Sequence, residues 1–300
     1  MRLLLLSLLT ILACNSPKAH AHNHNGDSEN KVKAPYSIEE IKPGIYRTQQ
    51  GPYYGIVLVG DSGLLIFDTF SKEFSQWLDT EIQSRFPNKP VKYVVYSHNH
   101  PDHVSGGQVF AHHNPVYISH ELAKNSMERM KVPTHYPSVT FDQSLQIDLD
   151  GKKIEFNYWG QNDGWGSISM YVPEQKFIAA IDWALTDRVP YMEIRRYNVD
   201  GIIRSLYEID KLDWDLISPG HASTGTKAQV RNFRSYVETI RDGVVSGINA
   251  GHNEEQIVQD ILGDLKTNAN FTSLKMFDKW SEQNVRGIYR QIAEVEGILE

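Results

Sequence analysis

Val91-Lys92-Tyr93-Val94-Val95-Tyr96-Ser97-His98-Asn99-His100-Pro101-Asp102-His103 is the stretch on which the reading of this chain turns. Val91 to Tyr96 is an apolar run of strand length. It opens directly into a loop in which three imidazoles and one carboxylate fall within six residues. Imidazole and carboxylate are the usual donors to zinc and its neighbours. A strand that ends in such a loop puts them at a sheet edge, where layered α/β proteins carry their sites. His98 and His100 point the same way in extended chain, because side chains alternate, so they can share one metal. Pro101 then redirects the chain, leaving Asp102 and His103 to serve a second metal. Two metals about 3.5–4 Å apart can hold a bridging hydroxide and clamp the attacking and leaving oxygens.

Working outward, three more segments fall into line with this one. Leu64-Leu65-Ile66-Phe67-Asp68-Thr69 is a strand closed by an acid, Phe177 to Asp182 is another, and Ser218-Pro219-Gly220-His221 is a strand end closed by a histidine. With the His-x-His-x-Asp-His run, these segments, in this order, resemble the metallo-β-lactamase superfamily over most of residues 40–225. The resemblance implies a four-layer αββα sandwich of α/β (α+β) class. It implies that Asp182 bridges two metals, that His221 completes the second site with Asp102 and His103, and that Asp68 supports the metal loop through hydrogen bonds.

The sequence departs from the family pattern at one ligand. The family supplies a third His to the first metal from a Gly-x-x-His segment just before a strand. Here the matching segment is Gly160-Gln161-Asn162-Asp163-Gly164-Trp165-Gly166, and there is no His between His135 and His221. Counting back from Asp182 through the strand Ser167 to Val172 puts Asp163 where that His would stand. Asp163 is then either a ligand beside His98 and His100 or a turn residue before Gly164. As a ligand it makes the set harder and more anionic, which opens the site to iron or manganese as well as zinc. As a turn residue it leaves a single metal at the second site. The cofactor expected is therefore Zn2+, two ions per chain, with one ion or Fe/Mn as the alternatives.

Composition bounds the rest. The 300 residues carry 30 Lys and Arg against 37 Asp and Glu, a formal net charge of -7, with no basic run, which excludes nucleic acid as an expected partner. Met1-Arg2 followed by Leu3 to Ala13 has the form of an export signal and is too short for an ordinary membrane span. The only cysteine, Cys14, follows Ile11-Leu12-Ala13 and resembles the lipidated cysteine of a bacterial lipobox. Cleavage after Ala19-His20-Ala21 is the rival. Residues 1–21 are thus read as the signal and 22–38 as a polar tether. Residues 39–225 form the metal-binding domain and 226–300 a helical C-terminal extension. Export to the periplasmic face is expected, with membrane contact only through a lipid anchor.

Strands are expected at residues 44–48, 54–59, 64–67, 91–96, 116–118, 139–141, 145–149, 153–158, 168–172, 177–180 and 216–218. Helices are expected at 72–85, 104–113, 121–131 and 199–211. Val230, Phe233, Val237, Ile240 and Val244 recur at helical spacing, and helical pattern returns at 254–262 and 280–298. These helices are expected to pack; covering the site or dimerising are further options.

The chemistry this suggests is hydrolysis, with metal-bound hydroxide attacking an ester, lactone, lactam or related small molecule. Asp102 is the candidate for orienting the nucleophile and receiving its proton. Trp165, Trp183 and Tyr191, with Tyr53 and Trp159, are candidates for an aromatic wall. Arg188, with Arg195 and Arg196, could hold an anionic group. His112, His113, His120, His135 and His252 are given no role. A di-iron oxidoreductase on the same fold is an alternative, although such proteins usually carry Glu in place of His100 and an attached flavin domain. A non-catalytic metal-binding lipoprotein is another.

Overall fold

The structure is a computed structural model and describes residues 36–295. The signal, the lipobox and most of the tether lie outside the described residues.

Seven strands form the first sheet in chain order: β1 (Ser37–Lys42), β2 (Ile45–Gln50), β3 (Tyr53–Val59), β4 (Leu64–Phe67), β5 (Val91–Val95), β6 (Val116–His120) and β7 (Val139–Phe141). The first four pair antiparallel. From β4 onward the pairs are parallel, and parallel neighbours need a crossover. The crossovers are α1 (Lys72–Arg85), the one-turn α2 (Pro101–Val104) with a 3-10 segment (Gly107–His113), and α3 (Glu121–Met130). Ser71 caps α1 by accepting from the Phe74 amide at 3.2 Å. Phe74, Leu78 and Ile82, four residues apart, turn its apolar stripe onto the sheet.

The second sheet holds β8 (Ser144–Leu149), β9 (Lys152–Tyr158), β10 (Ile168–Val172), β11 (Phe177–Ala180) and β12 (Leu216–Pro219), in the order β12-β11-β10-β9-β8. Only β11 and β12 are parallel, joined over α4 (Val199–Lys211). The extension then supplies α5 (Lys227–Asn249), α6 (Glu254–Thr267), α7 (Ala269–Thr272) and α8 (Phe277–Val295). Reciprocal capping boxes, Thr226 with Gln229 and Asn253 with Gln256, start α5 and α6. Among the described residues no helix is long and apolar enough to cross a membrane.

Three apolar clusters separate four layers. Strand alternation sends Leu64, Ile66 and Val94 outward to Phe74, Leu78 and Met127 of α1 and α3. It sends Leu65, Phe67 and Val95 inward to Phe156, Met170 and Ala179 of the second sheet. Ile178 and Ala180 face the other way, onto Ile202, Leu206, Phe233, Tyr236 and Val258 of α4, α5 and α6. The expected αββα sandwich with a C-terminal helical region is therefore present, and the extension is part of its outer layer.

Two differences from expectation bear on the site's surroundings. β1 begins at Ser37, inside the stretch read as tether, because Ser37-Ile38-Glu39-Glu40-Ile41-Lys42 is an edge strand with only Ile38 buried. The helix expected over 104–113 is broken: α2 stops at Val104 and Ser105 is extended. Gly106 then takes a left-handed conformation at φ 96°, where an added Cβ would stand 2.5 Å from the Ser71 carbonyl oxygen.

Candidate metal centre

Strands β4, β5, β11 and β12 each end one or a few residues before an acid or a histidine, and these ends lie on one edge of the sandwich. Asp68 follows β4, His98 follows β5, Asp182 follows β11 and His221 follows β12. The two sheets are joined there by the Tyr54 amide, which donates to the Gly220 carbonyl at 2.9 Å. Asp68 and Asp182 both hold left-handed backbones, with φ of 71° and 70°. That conformation is uncommon for non-glycine residues and is found where a site needs a side chain aimed against the run of its strand.

The donors fall into two groups around one carboxylate. Asp182 Oδ2 stands 3.3 Å from His98 Nε2 and 3.7 Å from His100 Nδ1. Asp182 Oδ1 stands 3.4 Å from His103 Nε2 and 3.2 Å from His221 Nε2. Asp163 Oδ2 joins the first group 3.7 Å from His100 Nδ1. Donor atoms of His98, His100, Asp163 and Asp182 all lie within 4.8 Å of one another, as do those of Asp102, His103 and His221. All seven candidate ligands thus stand at the strand edge. The Asp163 carboxyl is buried and turned to His100; its turn is held instead by its main-chain carbonyl, which accepts from the Ser167 hydroxyl.

Asp68 stands behind the candidate ligands. It accepts from the Ser97 amide at 2.8 Å and the Ser97 hydroxyl at 2.6 Å, and lies 3.1 Å from His103 Nδ1. With Nδ1–H donated to Asp68, the His103 lone pair is on Nε2, facing the centre. Ser97 Oγ also meets His98 Nδ1 at 2.7 Å, and the Pro52 carbonyl meets His221 Nδ1 at 3.0 Å, so the rings of His98, His103 and His221 are oriented from behind. Gly220 leaves the necessary room, since a Cβ there would lie 2.3 Å from Asp182 Oδ1.

The electrostatics ask for positive charge. Burial alone would lower His103, but the carboxylates of Asp182, Asp68 and Asp102 push it up to about 10. Burial would raise Asp182, but His103 and His221 hold it well below the usual carboxylate range. Burial raises Asp163 and lowers His98. Burial, then the charges of Asp102 and Asp182, push Tyr53 up to about 12. In the protein alone, protons on imidazoles balance the buried carboxylates; a metal cation would do the same while keeping the rings neutral. His98 Nε2 and Asp182 Oδ1 are buried with no hydrogen-bond partner in spite of their near neighbours. Buried polar atoms that converge without bonding one another fit metal ligation.

The fold behind this edge matches known proteins. The family model described as the metallo-beta-lactamase superfamily matches residues 50–221. The chain belongs to the metallo-β-lactamase superfamily. It is 28% identical over 188 residues to the 2,4-dinitroanisole O-demethylase subunit alpha of Nocardioides sp. (strain JS1661), covering 62% of this chain and 57% of that one. A metallo-beta-lactamase from Pontibacter korlensis superposes with a TM-score of 0.60 at 16% identity, over 68% of this chain and 99% of its own. The stereoselective inverting sec-alkylsulfatase Pisa1 from Pseudomonas sp. superposes with a TM-score of 0.66 at 16% identity, over 85% of this chain and 50% of its own. The chain thus spans little more than half the length of the demethylase subunit and half that of the sulfatase. The overlap with the sulfatase is too wide to be confined to the two sheets and runs into the C-terminal helices.

Around the centre the aromatic candidates separate. Trp165 and Tyr191 are exposed at 49% and 55%. The Trp165 amide donates to Asn99 Oδ1 at 2.7 Å, next to His100, and Tyr191 meets Trp280 edge-on at 4.9 Å. Tyr53 packs against the rings of His103 and His221. Trp183, expected on the wall, is fully buried in the cluster under the helices and offers no face to solvent. It follows Asp182 immediately, and the left-handed turn that aims the acid at the centre sends the next side chain into the core. Trp159 is likewise directed to that layer. Arg188 donates to the His221 carbonyl at 3.2 Å and lies over the Trp280 ring at 4.9 Å. Trp280 belongs to α8, so the extension also builds this rim. Ser97 was not anticipated; no residue-type pattern marks a serine whose importance lies in standing between Asp68 and His98. The same is true of Tyr197, whose hydroxyl donates to the Asp182 carbonyl at 2.6 Å.

Proposed function

We propose that this chain is a metal-dependent hydrolase of small molecules whose centre is His98, His100 and Asp163 for one ion and Asp102, His103 and His221 for another, with Asp182 shared. The observation that carries the reading is the two-sided contact of Asp182, one oxygen toward each imidazole pair, with its Oδ1 and His98 Nε2 buried and unbonded. When bound there, metal ions supply a water of lowered pKa and a Lewis acid for the bond being broken. The chain's own residues do the rest. Asp68, Ser97 and the Pro52 carbonyl fix the imidazole tautomers. Asp102 is pushed upward by burial, but in the protein alone the neighbouring histidines, His103 foremost, outweigh this and lower it; bound cations would take over that role as the rings become neutral, leaving a carboxylate able to accept the proton of an attacking water. Arg188 would hold an anionic group of the substrate at the His221 side, and Trp165 and Tyr191 would flank its apolar part.

The substrate class proposed is an ester, lactone, lactam or related small molecule. The named activities of an alkylsulfatase and an O-demethylase subunit among the similar proteins support a carbon–oxygen or sulfur–oxygen bond ahead of a lactam. Export through the N-terminal signal, with anchoring at Cys14, belongs to the same proposal. A second reading keeps this centre but loads it with iron or manganese, favoured by the two carboxylates that stand with two imidazoles in the first group.

The test is metal content by mass spectrometry together with turnover of 4-nitrophenyl esters, alkyl and aryl sulfates, lactones and a chromogenic β-lactam. The expected result is two ions at this centre and turnover of at least one class, with Asp182→Ala losing those ions and the turnover while retaining the far-UV spectrum. Turnover that survives in Asp182→Ala would sink the reading. Dominant iron with redox activity and no hydrolysis would favour the oxidoreductase.

A further inference from the structure

A second cluster of metal-ligand type lies away from the strand edge, where α1 meets the 3-10 segment. Asp79 of α1 faces two consecutive histidines, with His113 Nε2 2.8 Å from Asp79 Oδ1 and His112 Nε2 3.5 Å from Asp79 Oδ2. The three donor atoms lie within 4.8 Å of one another. Their geometry is set from behind, as at a built site. His112 Nδ1 is 2.9 Å from the Val109 carbonyl oxygen. A carbonyl only accepts, so Nδ1 carries the hydrogen, and in the neutral ring the lone pair sits on Nε2. That lone pair faces Asp79 Oδ2, itself held by a 2.8 Å bond from the Gln83 amide. Two acceptors aimed at each other need a proton or a metal cation between them.

The side chains of Asp79 and His113 are 15% and 12% exposed, while His112 is half open to water. Three protein donors with one side open suit a tetrahedral ion that keeps a water. The nearby Lys89 does not supply the charge, because its ammonium donates to the Gly60 carbonyl at 2.7 Å.

We propose that Asp79, His112 and His113 form a further site for a divalent transition metal of the zinc, nickel or copper class, separate from the strand-edge centre. Two imidazoles and one carboxylate select such ions over calcium or magnesium, which prefer all-oxygen shells. The ion would fasten α1 to the 3-10 segment that follows α2, the helix bearing Asp102 and His103. The site does not rest on the hydrolase reading.

The metal-free full chain is dialysed against Zn2+ alone and the bound metal counted by mass spectrometry. Wild type is compared with His112→Gln/His113→Gln and with Asp79→Asn. His20, His22 and His24 are present in all three proteins, so their contribution cancels in the difference. The expected result is one ion fewer per chain in each variant, with turnover on any substrate found for the strand-edge centre unchanged. Equal stoichiometry in wild type and variants, or a deficit larger than one ion, overturns the proposal. Circular dichroism establishes that each variant is folded. If the double variant is not, Asp79→Asn, which preserves shape, decides.

Discussion

The Asp163 carboxyl stands with His98, His100 and Asp182 in the first donor group. It is buried, and burial raises its pKa, so an ionised Asp163 is costly until a cation arrives. Asp163→Ala should therefore leave the metal-free protein folded and no less stable, while the metal content measured after dialysis falls by one ion per chain. Asp68 is the opposite case, since its bonds go to Ser97 and to the far side of the His103 ring. Asp68→Asn keeps the shape but removes the negative charge behind His103. Chelator competition should show metal affinity weakened by about 10–100-fold, the usual effect of losing such a supporting partner. An unchanged affinity would remove Asp68 from the centre's support.

At the scale of elements, α3 starts on an unusual cap. His120 Nδ1 accepts from the Leu122 amide at 3.0 Å, and Nε2 donates to the Asp142 carbonyl at 2.7 Å. Both bonds require the neutral ring, and burial lowers its pKa below 6.5. The unfolded chain then takes up a proton before the folded one does, so the stability this residue contributes is complete above about pH 6.5 and declines as pH falls below it. His120→Asn can still cap but cannot titrate. Its melting temperature should lie below that of wild type at pH 7.5, and the gap should narrow by pH 5.5. A constant gap would show that His120 does not titrate across the unfolding transition. The same loop-rich region is where the element pattern misled: Val104 to His113 has helical composition, yet Gly106 lies too close to Ser71 for a continuous helix.

For the whole molecule, the extension is a structural layer. Phe233 of α5 is fully buried in the cluster that covers the second sheet, with Ile178, Leu206 and Val258. Phe233→Ala should cost about 3–5 kcal/mol in urea unfolding, the range for a large core aromatic. Because the layer rests directly on β11, which leads into Asp182, unfolding should be one transition followed equally by tryptophan fluorescence and far-UV signal. Two separated transitions would mean that the helices fold independently of the sheets.

Apart from the resemblance, which implied the four-layer sandwich, the sequence by itself determined the strand that opens into His98, the order of the candidate-ligand segments and an α/β or α+β class. It could do so because alternation, strand length and ligand spacing are local properties. It also placed Asp163 as a candidate ligand by counting along one strand. Only the tertiary structure decided which oxygen of Asp182 faces which histidine pair, and that Trp183 is directed into the core. It likewise showed Ser97 linking Asp68 to His98, and Trp280 of the extension packing under Arg188. Asp79 and His113 are 34 residues apart and meet only because α1 packs beside the 3-10 segment. Each of these depends on a close approach between distant segments, and such contacts are set by how the layers pack, which no local pattern carries.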